Sequence, residues 1–583
     1  MAMLDDEPGF PQVRVDRREF WDKAPAEWIG EAEKIVVAGV SRPSEEGYTE
    51  VRTNIERVGW EVESLFRAEC RENKGRFLPA IRTCIDGLCK ARTWVNPYHD
   101  RGAFGNFYGK YRSIELNCSE VAFKLAMGLD WLKGRLSDDD VARAMSALDL
   151  HIIQPYLRSA RTGDYAHHGW FLGNNNWNVA CHWQSCCVAL SVVRDRRVRA
   201  EFIEAAERAA PYYLRGFSKE GYCQEGLDYW NYGFSEFLRL THLLYNATKG
   251  GVDLSKLPKA KDCFLAPYLF QLANGCAPQF NDGTASVPSS RTLYYGEFFW
   301  PEAHTAATKG VTPFSCGWNG YALVGARPVE TWWPPRRDGQ PYKLPIRSFF
   351  EDAQILLVRP LEEGDNTLSA CLKGGNNGVP HNHNDLGQFI IALGSTQMVQ
   401  DPAGKVYDLE TFTAKRYNHP MLNSYGHAVP LVDGTLQAAG RERTSKIVRT
   451  SFSAERDTIA MDLTGAYTNA ILKSLVREMT YRRSEGIVEI ADRAEYARAG
   501  RFETPLSTYG KIERLGENDF VIVRETKDGV KRLAFTVDTK GAKWHVKEEK
   551  IPNPKRTEPT RWAVVPDEPA TDFNVKFTFR RPA

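Results

Sequence analysis

The chain lacks several features that would place it in a class at once. No stretch approaches eighteen uninterrupted apolar residues, which excludes a membrane-spanning helix. Its charges nearly cancel: 76 Lys and Arg against 74 Asp and Glu leave a formal net charge of +2. No global field therefore draws it to nucleic acid or to a membrane, and an anionic partner must be held by a local patch. The 12 cysteines contain no CxxC pair, and Cys186 and Cys187 are adjacent inside an apparent helix. That pattern excludes a zinc ribbon and a disulfide scaffold and predicts buried thiols. No GxGxxG or GxxxxGK[ST] marks a nucleotide site, no GxSxG marks a hydrolase elbow, and no short-period repeat is present. Met1 to Pro11 have neither the basic nor the apolar region of a secretory leader. This leaves two expectations for location, a cytoplasmic protein or a trimmed secreted or periplasmic one.

What is present divides the chain in two. At 583 residues it exceeds one ordinary core, and roughly two to four domains are expected. Aromatics make up 12% of it, with 15 Trp and 24 Tyr, a content that suits sugar stacking and core packing alike. The first half reads as helices. Ser119-Glu120 opens a run with Val121, Leu125, Leu129 and Leu132 on one side, and Ser137 with Asp138 to Asp140 makes an acidic start for a helix through Ile152. Further helical patterns cover Trp177 to Val193, Val198 to Leu214 and Phe234 to Thr248, with Gly- and Asn-rich loops between them. Paired helices of this kind predict an (α/α) barrel or toroid. Arg327 to Pro345, rich in Pro, Trp and Arg, reads as an interdomain linker. Beyond it the period changes to short β-branched or aromatic runs: Gln354 to Val358, Leu368 to Leu372, Phe389 to Leu393, Thr458 to Leu463, Ile487 to Ala491, Phe520 to Val523, Leu533 to Val537 and Phe573 to Phe579. These predict an antiparallel β-sandwich. The expected division is a helical domain over 1–330 and a β-sandwich domain over 331–583.

The densest chemistry is His381-Asn382-His383-Asn384-Asp385-Leu386-Gly387, followed by Asp401 eighteen residues past His383 and by Asn423-Ser424-Tyr425-Gly426-His427. Gln388 to Leu393 has strand length, so His381, His383 and Asp385 are expected to share one face ahead of a buried strand. Asp401 would emerge at the strand's far side, and a hairpin-like return would bring His427 back beside His383. Two imidazoles and one carboxylate suit zinc or manganese. Gly374, Gly375, Gly378, Pro380 and Gly387 surround the motif and predict turns in place of strand continuation.

Two loops in the helical half stand beside it. Gly173 to Asn178 places amides at a helix start. An N-cap accounts for one Asn but not for four, whereas amides that hydrogen-bond a substrate carboxylate would withdraw its charge and acidify the adjacent carbon. Gly221 to Tyr232 also enters a helix, with Tyr229 and Tyr232 three apart on roughly one side. Tyrosine is an acid or base where neighbours lower its pKa, and a packing role accounts for the pair equally well. Cys223 has no adjacent His, and Cys181-His182 diverge on a helix, so a thiol nucleophile has little support.

Taken in order, the Asn-rich helix start, the EGxxYxxY loop, HNHxDxG, Asp401 and NSYGH resemble the heparinase II/III-like polysaccharide lyases. The motifs span Asn174 to His427. That superfamily joins an N-terminal (α/α) toroid to a C-terminal antiparallel β-sandwich. The resemblance implies that His383, Asp401 and His427 bind one divalent metal, zinc or manganese ahead of calcium, that pins the loops carrying His381 and Tyr417. It implies that His381 points into the cleft, that Tyr229 is the catalytic tyrosine with Tyr232 one turn away as the fallback, and that Asn175 or Asn176 neutralises a uronate carboxylate. Some relatives carry His in the neutraliser loop. This chain has Asn there, which favours the branch in which Tyr serves as both base and acid. Arg416, Tyr417 and Trp177 are expected to meet the substrate.

The implied activity is β-elimination on uronate glycosaminoglycans such as heparan sulfate, chondroitin sulfate or hyaluronan, with His381 assisting from the opposite side of the cleft. The implied partner is an anionic polysaccharide, not nucleic acid or membrane. An alginate or ulvan lyase, or a uronate C5-epimerase, would use the same machinery. A non-catalytic glycan-binding protein is the alternative of a different class, and it would need neither the paired tyrosines nor HNHND.

Overall fold

The computed structural model describes residues 4–43, 45, 47–48, 55–100, 104–283, 287–301, 344–402, 404, 410–411, 413, 415–553 and 556–581. The linker expected over Arg327 to Pro345 lies outside these residues up to position 343. The chain divides into two compact units. One comprises Met1–Gly216, Asn231–Lys261 and Ser289–Pro341, and the other Phe217–Trp230, Asp262–Pro288 and Tyr342–Ala583. Tyr229 therefore belongs to the unit that carries HNHND, while Asn175, Asn176, Trp177 and Tyr232 belong to the helical unit.

In the helical unit, Leu116–Trp131 packs on Asn176–Val192, which packs on Arg196–Leu214. The first two are buried on nearly every face, which a helix apolar all round requires. The helix expected from Ser119 begins three residues earlier, because the Glu115 side chain accepts the Cys118 N–H and caps it. Ser137 caps Asp138–Leu148 as its sequence suggests. Arg196–Leu214 starts after an Asp195 cap and keeps its charges largely outward. The helix expected from Phe234 instead spans Leu227–Ala247, so both tyrosines lie in its first turns.

The second unit is antiparallel sheet. Five strands pair in the order Arg347–Phe350, Ile355–Val358, Leu368–Lys373, Phe389–Leu393 and Thr396–Val399. An eight-stranded sheet runs from Lys511–Arg514 through Asp519–Thr526, Gly529–Asp538, Ala570–Arg580, Ile487–Gly500, Leu472–Arg482 and Arg456–Asp462 to Lys446–Phe452. A four-stranded sheet pairs Trp544–Lys550, Thr560–Pro566, Phe502–Thr508 and Leu431–Val432. Their inner faces share one core, from Leu356, Leu372 and Phe389 to Ile490, Phe535, Trp562 and Phe577. The other face of the five-stranded sheet, with Leu357, Cys371, Ile390 and Ala392, is covered by Tyr222, Ala266, Phe270, Leu272 and Phe280. A sheet buried on both faces reads as continuous apolar runs, and this covering explains why two segments from the helical half of the sequence belong to the sheet unit.

Candidate active site and metal centre

The HNHND segment is a loop entering the strand Phe389–Leu393. His381 takes a left-handed backbone, φ 55°, so the extended alternation expected to place His381, His383 and Asp385 on one face does not form. Such a conformation in a side-chain-bearing residue is uncommon and gathers at functional sites. Gly387, at φ 93°, ends the loop, and a Cβ there would press into Leu463. Asp401 does not emerge at the far side of the strand. Phe389–Leu393 turns directly into its antiparallel neighbour Thr396–Val399, and this hairpin returns Asp401 to the end where His383 sits.

His383, Asp401 and His427 are fully buried, with ligand atoms all within 4.8 Å of one another. The donor set fits a cation. Nε2 of His383 lies 3.0 Å from Oδ1 of Asp282 and donates to it, and its Nδ1 is buried without a hydrogen-bond partner. Nε2 of His427 donates to the Met421 carbonyl at 3.2 Å, which leaves Nδ1 facing Oδ2 of Asp401 at 3.1 Å. Two lone pairs that close need a proton or a metal between them. In the metal-free chain a proton serves: burial pulls the His427 pKa down, but Asp401 outweighs it and holds the group above its ordinary value. Burial alone would raise Asp401, and the His427 charge brings it below the usual carboxylate range. The three residues can hold a metal ion.

The loops around this centre are clamped from the large sheet. Arg477 pairs with Asp492 through Nε at 2.7 Å and Nη2 at 2.6 Å, and its Nη1 donates to the carbonyls of Gly387 and Ala428. The Gln437 amide meets both the N–H and the carbonyl of Leu386, at 2.9 and 2.7 Å. Asp385 pairs with Lys373 at 2.5 Å, and Lys373 reaches Asn281, whose amide donates to Gln224 at 2.7 Å. Asp385 is thus bound into a chain of polar contacts that holds the loop leading to Tyr229.

Tyr229 and His381 lie side by side. Their rings stack with centroids 3.9 Å apart and planes 25° from parallel, so His381 lies against the phenol and not across a cleft from it. Nδ1 of His381 donates to Oδ2 of Asp282 at 3.0 Å, and Nε2 faces Glu225 at 3.7 Å. Burial pushes the Glu225 carboxyl up, partly countered by His381. Asp282 is buried, which alone would raise its pKa, yet its bonds to His381, His383 and Arg416 hold it well below the usual range. Sequence reading passed Asp282 over. It lies 99 residues from His381, and Asn281-Asp282-Gly283 by itself signals only a turn.

The other expected residues divide by their contacts. Arg416 is buried and donates to Asn382 O, Thr411 O and, at 2.7 Å, Asp282 Oδ1. Tyr417 lies beside it, its hydroxyl 3.5 Å from Asn382 O. Tyr232 is 40% exposed. In the helical unit Asn175 caps the helix by accepting the Trp177 N–H at 3.2 Å. Asn178 staples its loop, donating to the carbonyls of Phe171, Gly173 and Ala209. Asn176 is buried, and no hydrogen bond reaches its amide among the described residues. The Trp177 ring meets His99 edge-on, centroids 4.6 Å apart.

Helices followed by antiparallel sheets of this order make a heparinase-like glycosaminoglycan-lyase fold, an N-terminal (α/α) toroid with a C-terminal β-sandwich. Among solved structures the chain is similar to a heparinase III, with a TM-score of 0.69 and 10% identity over 99% of this chain and 86% of that one. It is similar to a variant of the heparan sulfate lyase HepC from Pedobacter heparinus, with a TM-score of 0.63 and 12% identity over 99% and 86%. A chondroitin AC lyase variant from Streptomyces coelicolor A3 matches with a TM-score of 0.53 and 12% identity over 99% and 81%. No protein-family model matches the chain, and no curated protein does. At these identities the likeness is one of fold.

Proposed function

We propose that the protein is a polysaccharide lyase that cleaves uronate-containing glycosaminoglycans, the class of heparan sulfate, chondroitin sulfate and hyaluronan, by β-elimination. One observation carries the reading: a phenol and an imidazole, Tyr229 and His381, stacked at 3.9 Å with the imidazole anchored on a buried carboxylate. The fold shared with a heparinase III, a heparan sulfate lyase and a chondroitin AC lyase supports it.

The chemistry follows from the uronate. Its C5 proton is α to a carboxylate, and the glycosidic oxygen leaves from C4. Tyr229, as its phenolate, takes the C5 proton, the released electron pair forms the C4–C5 double bond, the C4–O bond breaks, and the phenol so formed returns that proton to the departing oxygen. Water is not consumed. His381 assists from beside the phenol, through Nε2. The NH2 of Asn175 or Asn176 takes up the charge that develops on the uronate carboxylate; the helix cap engages only the Asn175 oxygen and leaves its NH2 to donate. Tyr417 and Trp177 meet the polymer, and Arg416 serves from behind by fixing Asp282 and the Asn382 carbonyl.

The metal site is structural in this reading. His383, Asp401 and His427 would hold zinc or manganese, since two imidazole nitrogens suit those ions and calcium prefers a larger shell of oxygens. A bound ion would supply charge that fixes the loops carrying His381 and Tyr417.

The test is to incubate the protein with heparan sulfate, chondroitin sulfate, hyaluronan, alginate and ulvan and to follow the ultraviolet absorbance of a double bond conjugated with a carboxylate. A rise on a glycosaminoglycan supports the reading, and a rise on alginate or ulvan alone moves the substrate class. Flat traces with solvent deuterium entering C5 point to epimerisation, and binding without either change overturns the enzyme.

A further inference from the structure

We infer that Asp282 is a positioning residue that ties the metal centre to His381; its catalytic half rests on the lyase reading, and its metal half stands apart from it. The two carboxylate oxygens divide the work. Oδ2 accepts from Nδ1 of His381 at 3.0 Å, and Oδ1 accepts from Nε2 of His383 at 3.0 Å and from Nη2 of Arg416 at 2.7 Å. An ionised carboxylate only accepts, so each imidazole presents an N–H to it. The lone pairs are thereby assigned to Nε2 of His381 and to Nδ1 of His383, the buried atom that lacks a hydrogen-bond partner. One side chain sets both tautomers, with His381 fixed to exchange a proton at Nε2 and His383 to ligate through Nδ1.

The carboxylate is held firmly enough for this task. Its side chain is 1% exposed. The preceding residue, Asn281, takes φ 59° and is anchored on both sides, donating to Gln224 O at 2.7 Å and accepting from Lys373 at 3.1 Å. Gly404 lies against it, and a Cβ at that position would come within 3.2 Å of the Asp282 backbone.

The decisive variant is Asp282→Asn. The amide oxygen can still accept from Arg416 and His383, while the NH2 faces His381 and reverses its tautomer. Zn²⁺ content and unfolding midpoint should be unchanged and KM should stay within about twofold, with kcat down on the order of 10²–10⁴-fold. In a His381→Gln background the same substitution should change kcat by less than about twofold, because its partner is already gone. Asp282→Ala should weaken Zn²⁺ binding to the metal-stripped protein by about 10–100-fold, measured against a competing chelator. The inference is overturned if Asp282→Asn leaves kcat intact, lowers it equally without His381, loses the fold or loses Zn²⁺, or if Asp282→Ala binds Zn²⁺ as tightly as the parent. Should the parent turn over no uronate polymer, the lyase reading falls, and the Zn²⁺ measurement still decides the metal half.

Discussion

A phenol against an imidazole ring and a carboxylate behind the imidazole would, in the proposed reaction, form a proton-transfer unit in which each member has a separable effect. Tyr229 is half-buried at the start of its helix, and its ring stacks on His381. Tyr229→Phe keeps the ring and the stack and removes only the hydroxyl. Turnover should fall by about 10²–10⁴-fold with the unfolding midpoint unchanged, whereas Tyr232→Phe, at an exposed position, should stay close to the parent. The reverse ranking would place the chemistry one turn along the helix. His383→Ala acts differently, because it deletes a buried ligand and the donor to Asp282. It should abolish stoichiometric metal binding and cost about 2–4 kcal/mol of stability together with activity; a variant that kept its metal by elemental analysis would remove His383 from the ligand set. The convergence of His383, Asp401 and His427 was legible because three ligand-type residues stood close together around a strand of recognisable length. Asp282 was not, because a lone acid in a turn has no periodic or compositional mark, and His381, His383 and Arg416, which meet it, are distant in sequence.

Among the elements, strands with an unbroken or alternating apolar run were legible, whether buried at every position like Phe389–Leu393 or partly exposed like Ile487–Gly500 and Ala570–Arg580, whereas Leu472–Arg482 and Trp544–Lys550 were not. Phe389–Leu393 is buried at every position, and its apolar run gave its limits. Trp544–Lys550 alternates part-buried with exposed positions, and Leu472–Arg482 carries Lys473, the buried Arg477, Glu478 and Arg482 among its apolar residues, so charged residues break up the apolar runs that would mark both strands. The hairpin that returns Asp401 is concealed for a related reason: Gly394-Ser395 gives only a short turn signal between two short apolar runs. In the helical unit, the placement of Asn176 depends on glycines in neighbouring elements. A Cβ at Gly216 would run into the Asn174 carbonyl, and one at Gly233 would lie 2.7 Å from the Tyr213 hydroxyl and 3.0 Å from Asn176 Cβ. Gly233→Ala and Gly216→Ala should therefore displace the Asn-rich loop and lower kcat by about tenfold or more while metal content holds. Activity equal to the parent in both variants would remove Asn176 from the chemistry.

At the scale of the whole molecule, the helical unit lowers all four of the histidines it buries while the sheet unit lowers His383 and raises His427, and acid should separate the two units. The helical unit keeps His151, His168, His182 and His242 neutral in its interior, and burial pushes His151 down to about 3 and the other three to about 4. Their bonds explain why. Nε2 of His168 accepts the Ile114 N–H at 2.8 Å, and Nδ1 of His182 meets the Tyr156 hydroxyl at 2.6 Å while Nε2 donates to Phe171 O. A proton on Nε2 of His168 would face the Ile114 N–H donor, and in all four the charged ring would sit in a buried environment. The folded pKa values lie below the ordinary value near 6.5, so the unfolded chain binds protons first. Stability from these groups is complete above about pH 6.5 and is lost as the pH falls toward 4. At about pH 5 each contributes a loss near 2 kcal/mol, and four together approach the margin of a typical domain, about 5–15 kcal/mol. In the sheet unit burial lowers His383, but His427 is raised because Asp401 outweighs its burial, so the two partly offset over the same range. Between pH 7 and pH 5 the denaturant midpoint read from helical ellipticity should drop well ahead of the midpoint read from sheet signals. Coincident transitions across that interval would mean that the histidines of the helical unit are not held neutral.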